Sequence, residues 1–134
     1  MIALDTNVLV RYIIQDDARQ ARQAAKLIES HCTTESPGMV DVVVLCELVW
    51  VLESAYGYER SAVALVVRQL LGVAELVVVS SDQAWAALRA YESDRGDFSD
   101  HLIGIRNHAA GCQTTFTFDR RAAVSAPGVF TLIQ

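Results

Sequence analysis

The sequence predicts an α/β fold built on a short parallel sheet. Three observations carry that prediction. Apolar, strand-like segments alternate with stretches of helical periodicity, acids and glycines punctuate the helices, and two of the strand-like segments end in an aspartate, at Asp5 and Asp119. Strands separated by helices pair in parallel and carry helices on both faces of the sheet. In open sheets of this kind, ligands collect beyond the carboxyl ends of the strands.

The elements follow in order. Residues 1–4 read as a short buried strand, and Thr6 and Asn7 can cap a helix over residues 8–14. Asp16 and Asp17 can open a second helix reaching His31, with Ala18, Ala21, Ala25 and Ile28 on one apolar face. Pro37 and Gly38 break the chain. Asp41 is placed to cap a strongly apolar helix to about Tyr56, in which Leu45, Leu48 and Leu52 recur at helical spacing. Gly57 ends it. A helix over residues 61–71 closes at Gly72, and residues 75–79 form the next strand. Ser81 and Asp82 start a helix carrying Ala84, Trp85, Leu88 and Tyr91, which fades at the charged turn over residues 93–97. Ser99 can cap a helix over residues 100–110, stopped by Gly111. Residues 114–118 then form a β-branched and aromatic strand, and residues 130–133 a last short one.

At 134 residues and 52% hydrophobic content, residues 1–134 fit one domain with a sizeable core. No apolar run approaches the roughly 20 residues that a membrane span needs. The opening segment is a strand and not a signal peptide, and Cys32, Cys46 and Cys112 are odd in number and widely spaced. The expectation is a chain with reduced thiols in the cytoplasm, with no membrane partner. The formal net charge of -5 argues at first against a nucleic-acid partner. Setting aside four acids as metal-binding leaves 12 of the 16 against 11 bases, a net of about -1.

Those four are Asp5, Glu47, Asp100 and Asp119. Asp5 follows Ile2, Ala3 and Leu4, and Asp119 ends a Thr-Phe-Thr-Phe strand. Glu47 is embedded among aliphatic residues, where a core-facing carboxylate would be costly unless paired or coordinated. Asp100 opens a helix whose N-terminal dipole favours a negative charge. Each has an ordinary alternative as a cap, a turn residue or a solvent-facing interruption. Together, as hard oxygen donors, they suit Mg²⁺ or Mn²⁺.

Four segments carry a resemblance: Leu4-Asp5-Thr6-Asn7-Val8-Leu9-Val10, Leu45-Cys46-Glu47-Leu48-Val49-Trp50-Val51-Leu52, Asp97-Phe98-Ser99-Asp100-His101-Leu102-Ile103 and Thr117-Phe118-Asp119. In this order, and over essentially the whole chain, the sequence resembles a PIN domain, specifically the VapC-type toxin of bacterial toxin-antitoxin pairs. The resemblance implies an α/β/α sandwich with a short central parallel sheet and a divalent-metal pocket that hydrolyses a phosphodiester in single-stranded or looped RNA. It implies Asp5, Glu47, Asp100 and Asp119 as catalytic and metal-binding residues, with Mg²⁺, or Mn²⁺, as cofactor. Thr6 matches a small polar support of the pocket, Asn7 stands beside it as the cap, and Asp97 is a further acid, a ligand through water or a loop anchor. It also implies an RNA substrate, tRNA or another structured RNA, and a small antitoxin whose tail occludes the acidic pocket.

His31, His101 and His108 lack metal-ligand spacing and read as surface or capping residues. Trp50, Trp85, Tyr56 and Tyr91 fall among aliphatics and read as core or subunit contacts. Arg11, Arg95, Arg120 and Arg121 can hold phosphates or pair with the acids beside them. The apolar segments over residues 42–71 exceed the core needs of a small monomer and predict a homodimer through these helices. A phosphoacceptor receiver domain would need a lysine after a late strand, whereas the only one, Lys26, is early. A haloacid-dehalogenase-type phosphatase would need Asp-x-Asp where Asp5-Thr6-Asn7 stands. The remaining alternative is a catalytically idle PIN-fold protein-binding module.

Overall fold

The computed structural model describes residues 1–93 and 96–134. Contacts divide the chain into two compact units, Met1–Ser81 and Asp82–Gln134.

The first unit contains α1 (Thr6–Ile14), α2 (Ala18–His31), β1 (Gly38–Val40), α3 (Val42–Ser54), α4 (Arg60–Gly72) and β2 (Leu76–Val78). Three aspartates start its helices by accepting otherwise unpaired backbone N–H groups. Asp5 takes Thr6 N, Asp17 takes Gln20 N and Asp41 takes Val43 N. Leu9, Leu45, Leu48, Leu52, Val63 and Val67 are fully buried. Each buried aliphatic side chain of this size contributes roughly 1.5–3 kcal/mol. Accordingly α3 packs on α1 and α4, and α1 on α2.

β1 and β2 pair in parallel, Gly38 with Leu76 and Val40 with Val78. The strand expected over residues 1–4 reduces to a bridge between Ala3 and Met39, with Leu4 N donating to Met39 O at 2.9 Å. β1 itself replaces the break expected at Pro37 and Gly38. Three residues are too few to show alternation, and glycine is required there for room. A Cβ on Gly38 would stand 2.6 Å from Cys32 Sγ and 3.3 Å from Leu76 Cδ2.

The second unit contains α5 (Ser81–Ser93), α6 (Phe98–Ala109), β3 (Thr115–Thr117), α7 (Arg120–Ser125) and β4 (Phe130–Leu132). β3 and β4 are parallel, Thr115 opposite Phe130 and Thr117 opposite Leu132, and α7 rests on both. The buried rings of Tyr91 and Phe98 meet edge to face, with centroids 5.9 Å apart. The architecture is thus α/β with parallel pairing, but the short central sheet expected is described as two parallel pairs, one in each unit. α7 is an addition, since six residues are too few to show a helical period. α6 starts two residues earlier than expected, with Asp97 and not Ser99 at the N-cap. Part of the expected turn over residues 93–97, at 94 and 95, lies outside the described residues.

Gly38→Ala is expected to lower the unfolding free energy by about 1–3 kcal/mol, the usual cost of overpacking. Gly72→Ala, where an added Cβ meets nothing within 4 Å, is expected to be neutral or slightly stabilising. Urea unfolding of both variants checks the contrast.

Candidate active site

In the first unit, Asp5 and Glu47 line one cleft of about 380 Å³ with Thr6, Asn7, Val10, Arg11, Val51, Ala55 and Tyr56. Asp5 enters it because its Oδ1 is held by Thr6 N at 2.8 Å, which starts α1. One carboxylate oxygen is thereby committed to the helix and the other is left for a ligand. Thr6 then donates its hydroxyl to Glu47 Oε1 at 2.8 Å, which joins the start of α1 to the middle of α3. Thr6 therefore supports Glu47 directly. Asn7 lies exposed in the first turn of α1 and is not its cap, a place that Asp5 takes.

Glu47 departs from its expected setting. It is exposed, on the same side of α3 as exposed Val43 and Trp50, while Leu45, Leu48, Val49 and Leu52 carry the burial. An apolar neighbourhood in sequence did not mean a buried carboxylate, because the helix turns Glu47 away from the leucines. Trp50 likewise lies outside the core, 68% exposed.

Arg11 pairs with neither Asp5 nor Glu47. Its Nη1 donates to Asp16 Oδ1 at 3.0 Å and its Nε to Gln20 Oε1 at 2.6 Å. Tyr56 donates its hydroxyl to Asp16 Oδ2 at 3.0 Å. That hydrogen bond, and then the Arg11 charge, hold Asp16 below the usual carboxylate range. Tyr56 stands 40 residues from Asp16, so no local spacing could have linked the two.

In the second unit, Asp100 lies in the first turn of α6, Asp97 is its N-cap and Asp119 is the N-cap of α7. Asp119 repeats the division seen at Asp5. Its Oδ1 accepts from Arg121 N at 2.9 Å, while its own N donates to Thr117 Oγ1. Partial burial pushes Asp100 above the usual carboxylate range, and the negative charges of Asp97 and Asp119 push it further. Arg121 approaches Asp97 to 3.9 Å, and both are largely exposed, so this pair is a weak one. His101, expected at the surface, is buried, in a space kept open by Gly96, where a Cβ would meet His101 Nε2 at 2.7 Å. His31 and His108 are exposed, and Arg95 lies outside the described residues.

The donors fit a hard divalent cation. They are carboxylate oxygens, two of them with one oxygen uncommitted, and Asp100 is set among charges of its own sign. Among the described residues no three His, Cys, Asp or Glu side chains close into a ready-made metal-holding group. A larger cleft of about 880 Å³ in the first unit, lined by Tyr12, Ile28 and Leu70 among others, contains none of these acids.

Because the folded protein raises the pKa of Asp100, the folded state holds its proton more tightly than the unfolded chain does. The stability so gained is complete below the ordinary carboxylate range and is lost as pH rises through the raised value. In the metal-free protein, Asp100→Asn is therefore expected to raise the melting temperature at neutral pH. The gain should vanish under acid conditions, and thermal unfolding in EDTA across pH checks it.

Comparison with curated proteins finds no match. No helix among the described residues is long and apolar enough to cross a membrane. The sequence matches the PIN domain over residues 2–126, a span that takes in all five acids. PIN domains are typically nucleases and generally use divalent metal ions. The chain belongs to the PIN domain family.

Proposed function

We propose that the chain is a Mg²⁺-dependent endoribonuclease of the VapC type, the toxin of a toxin-antitoxin pair, with Mn²⁺ as an alternative ion. The observation that carries this reading is the treatment of its acids. Asp5 and Asp119 each cap a helix with one oxygen and keep the other uncommitted, and Asp100 is held among like charges. Fold stability alone gives no reason to set Asp100 near Asp97 and Asp119, whose charges raise its pKa.

In this reading Asp5, Glu47, Asp100 and Asp119 take part in one metal-dependent hydrolysis. A divalent ion, when bound, supplies an acidified water and positive charge for the phosphoryl oxygens. Thr6 holds Glu47 Oε1 and so orients its other oxygen. The backbone bonds at Asp5 and Asp119 fix their carboxylates before substrate arrives, which lowers the ordering cost of binding. Asp97, weakly paired with Arg121, is placed to act through water or to anchor the start of α6. The substrate is an RNA, tRNA or another structured species, cut in a single-stranded or looped part, and the site of action is the cytoplasm. A small antitoxin is the proposed regulatory partner, supported by the four motif segments of the resemblance.

A homodimer is proposed through α3 and α4. Val43, Trp50 and Leu65 on these helices are each more than half exposed, a large apolar presentation for a chain this small. The dimer predicts a native mass of twice 14.7 kDa, with Trp50→Glu shifting it towards one chain. A single-chain mass at micromolar concentration contradicts it.

Cleavage of cellular RNA by the purified protein tests the enzyme. Discrete fragments are expected with Mg²⁺, and none with EDTA or with Asp5→Asn. Absence of cleavage across broad RNA pools, in Mg²⁺ and in Mn²⁺, would favour an idle protein-binding module.

A further inference from the structure

The cleft that holds Asp5 and Glu47 has a second end. Asn7, Val10 and Arg11 line it from α1, and Glu47, Val51 and Ala55, spaced by four, line it from α3. The two helices therefore bound a groove with the carboxylates near one end and Arg11 with Tyr56 near the other. Along α1, Arg11 lies six residues beyond Asp5, roughly 9 Å of helix rise.

Arg11 is the one cation among the described residues lining this cleft. It is held from separate segments, by Asp16 and Gln20, and Asp16 is itself held by Tyr56. A guanidinium has five N–H donors; two are used on Gln20 and Asp16, the Tyr56 hydroxyl is a further neighbour, and donors remain for a ligand. An exposed ion pair is worth little as a stabiliser, so a tie between α1 and α2 is a weak reason for this arrangement. A planar fork, oriented in advance and retaining donors, is the geometry that takes a phosphate.

We propose that Arg11 is a phosphate-positioning residue, which holds an uncleaved phosphate of single-stranded RNA laid along the α1–α3 groove while Asp5 and Glu47 serve the neighbouring phosphate. The assignment rests on the nuclease reading above and adds to it a direction for the strand. Asp16 and Tyr56 act through Arg11 and do not touch the RNA.

Binding of a labelled single-stranded oligoribonucleotide, followed by fluorescence anisotropy from low to high salt, tests it. A Glu47→Gln background with Mg²⁺ present prevents cleavage. Arg11→Ala is expected to weaken binding about tenfold, the scale of a charge-assisted hydrogen bond. The slope of log affinity against log salt should fall by about 0.7, the value of one phosphate contact on a single strand. Arg11→Lys should keep the slope and lose part of the affinity, and Asp16→Asn, which breaks the same ion pair, should keep the slope. On the Glu47-intact protein, Arg11→Ala should raise KM with little change in kcat.

An unchanged slope and KM in Arg11→Ala, in a protein that does bind and cleave RNA, overturns the assignment and leaves the nuclease reading standing. Equal losses in Arg11→Ala and Asp16→Asn, accompanied by equal falls in melting temperature, overturn it as well, since Arg11 would then be structural. A parent protein that neither binds nor cleaves RNA overturns both.

Discussion

Carboxylates repel one another, and a fold that gathers them must supply a field that makes their charge tolerable. Here that field comes from helix N-termini, where unpaired N–H groups and the macrodipole favour a negative charge. Asp5 starts α1, Asp97 and Asp100 begin α6, and Asp119 starts α7. Glu47 is the exception, in the middle of α3, and it receives the Thr6 hydroxyl instead. Asp5 and Asp119 are thus held by the same bonds that begin their helices. Removing a carboxylate removes a cap as well as a ligand, so an asparagine, which still accepts a hydrogen bond, separates the two roles better than an alanine does.

The compensation is incomplete at Asp100. Its partial burial and its two acidic neighbours disfavour the ionised form, and the opposing charge of Arg121 offsets this only in part. Such unresolved repulsion costs stability in the absence of a cation and is relieved when one binds. The same acids therefore connect a thermodynamic weakness of the fold to the divalent-ion chemistry general to PIN domains. Stability and metal binding should trade against each other at this residue.

Much of this was legible in the sequence because the acids sit where local rules place them. Capping aspartates located α2 and α3, Thr6 and Asn7 marked the start of α1 although Asp5 is its cap, and the β-branched strand before Asp119 placed that acid. The short elements were not legible. β1 has three residues and begins on the glycine that reads as a break, and α7 has six. Helical phase was also misjudged at Glu47. A run with apolar residues at almost every position conceals which face is buried, and only packing against α1 and α4 decides it. The Arg11, Asp16 and Tyr56 network was out of reach because Tyr56 is brought to Asp16 from the bend after α3, 40 residues away.

Mn²⁺ binding, followed through the electron paramagnetic resonance of the ion, tests most directly the claim that these acids serve a divalent cation. The account predicts saturable binding to the intact protein, and weakening by Asp5→Asn and by Glu47→Gln alike, the two acids that share one cleft. Undiminished affinity in either variant, or no binding by the intact protein, would contradict it.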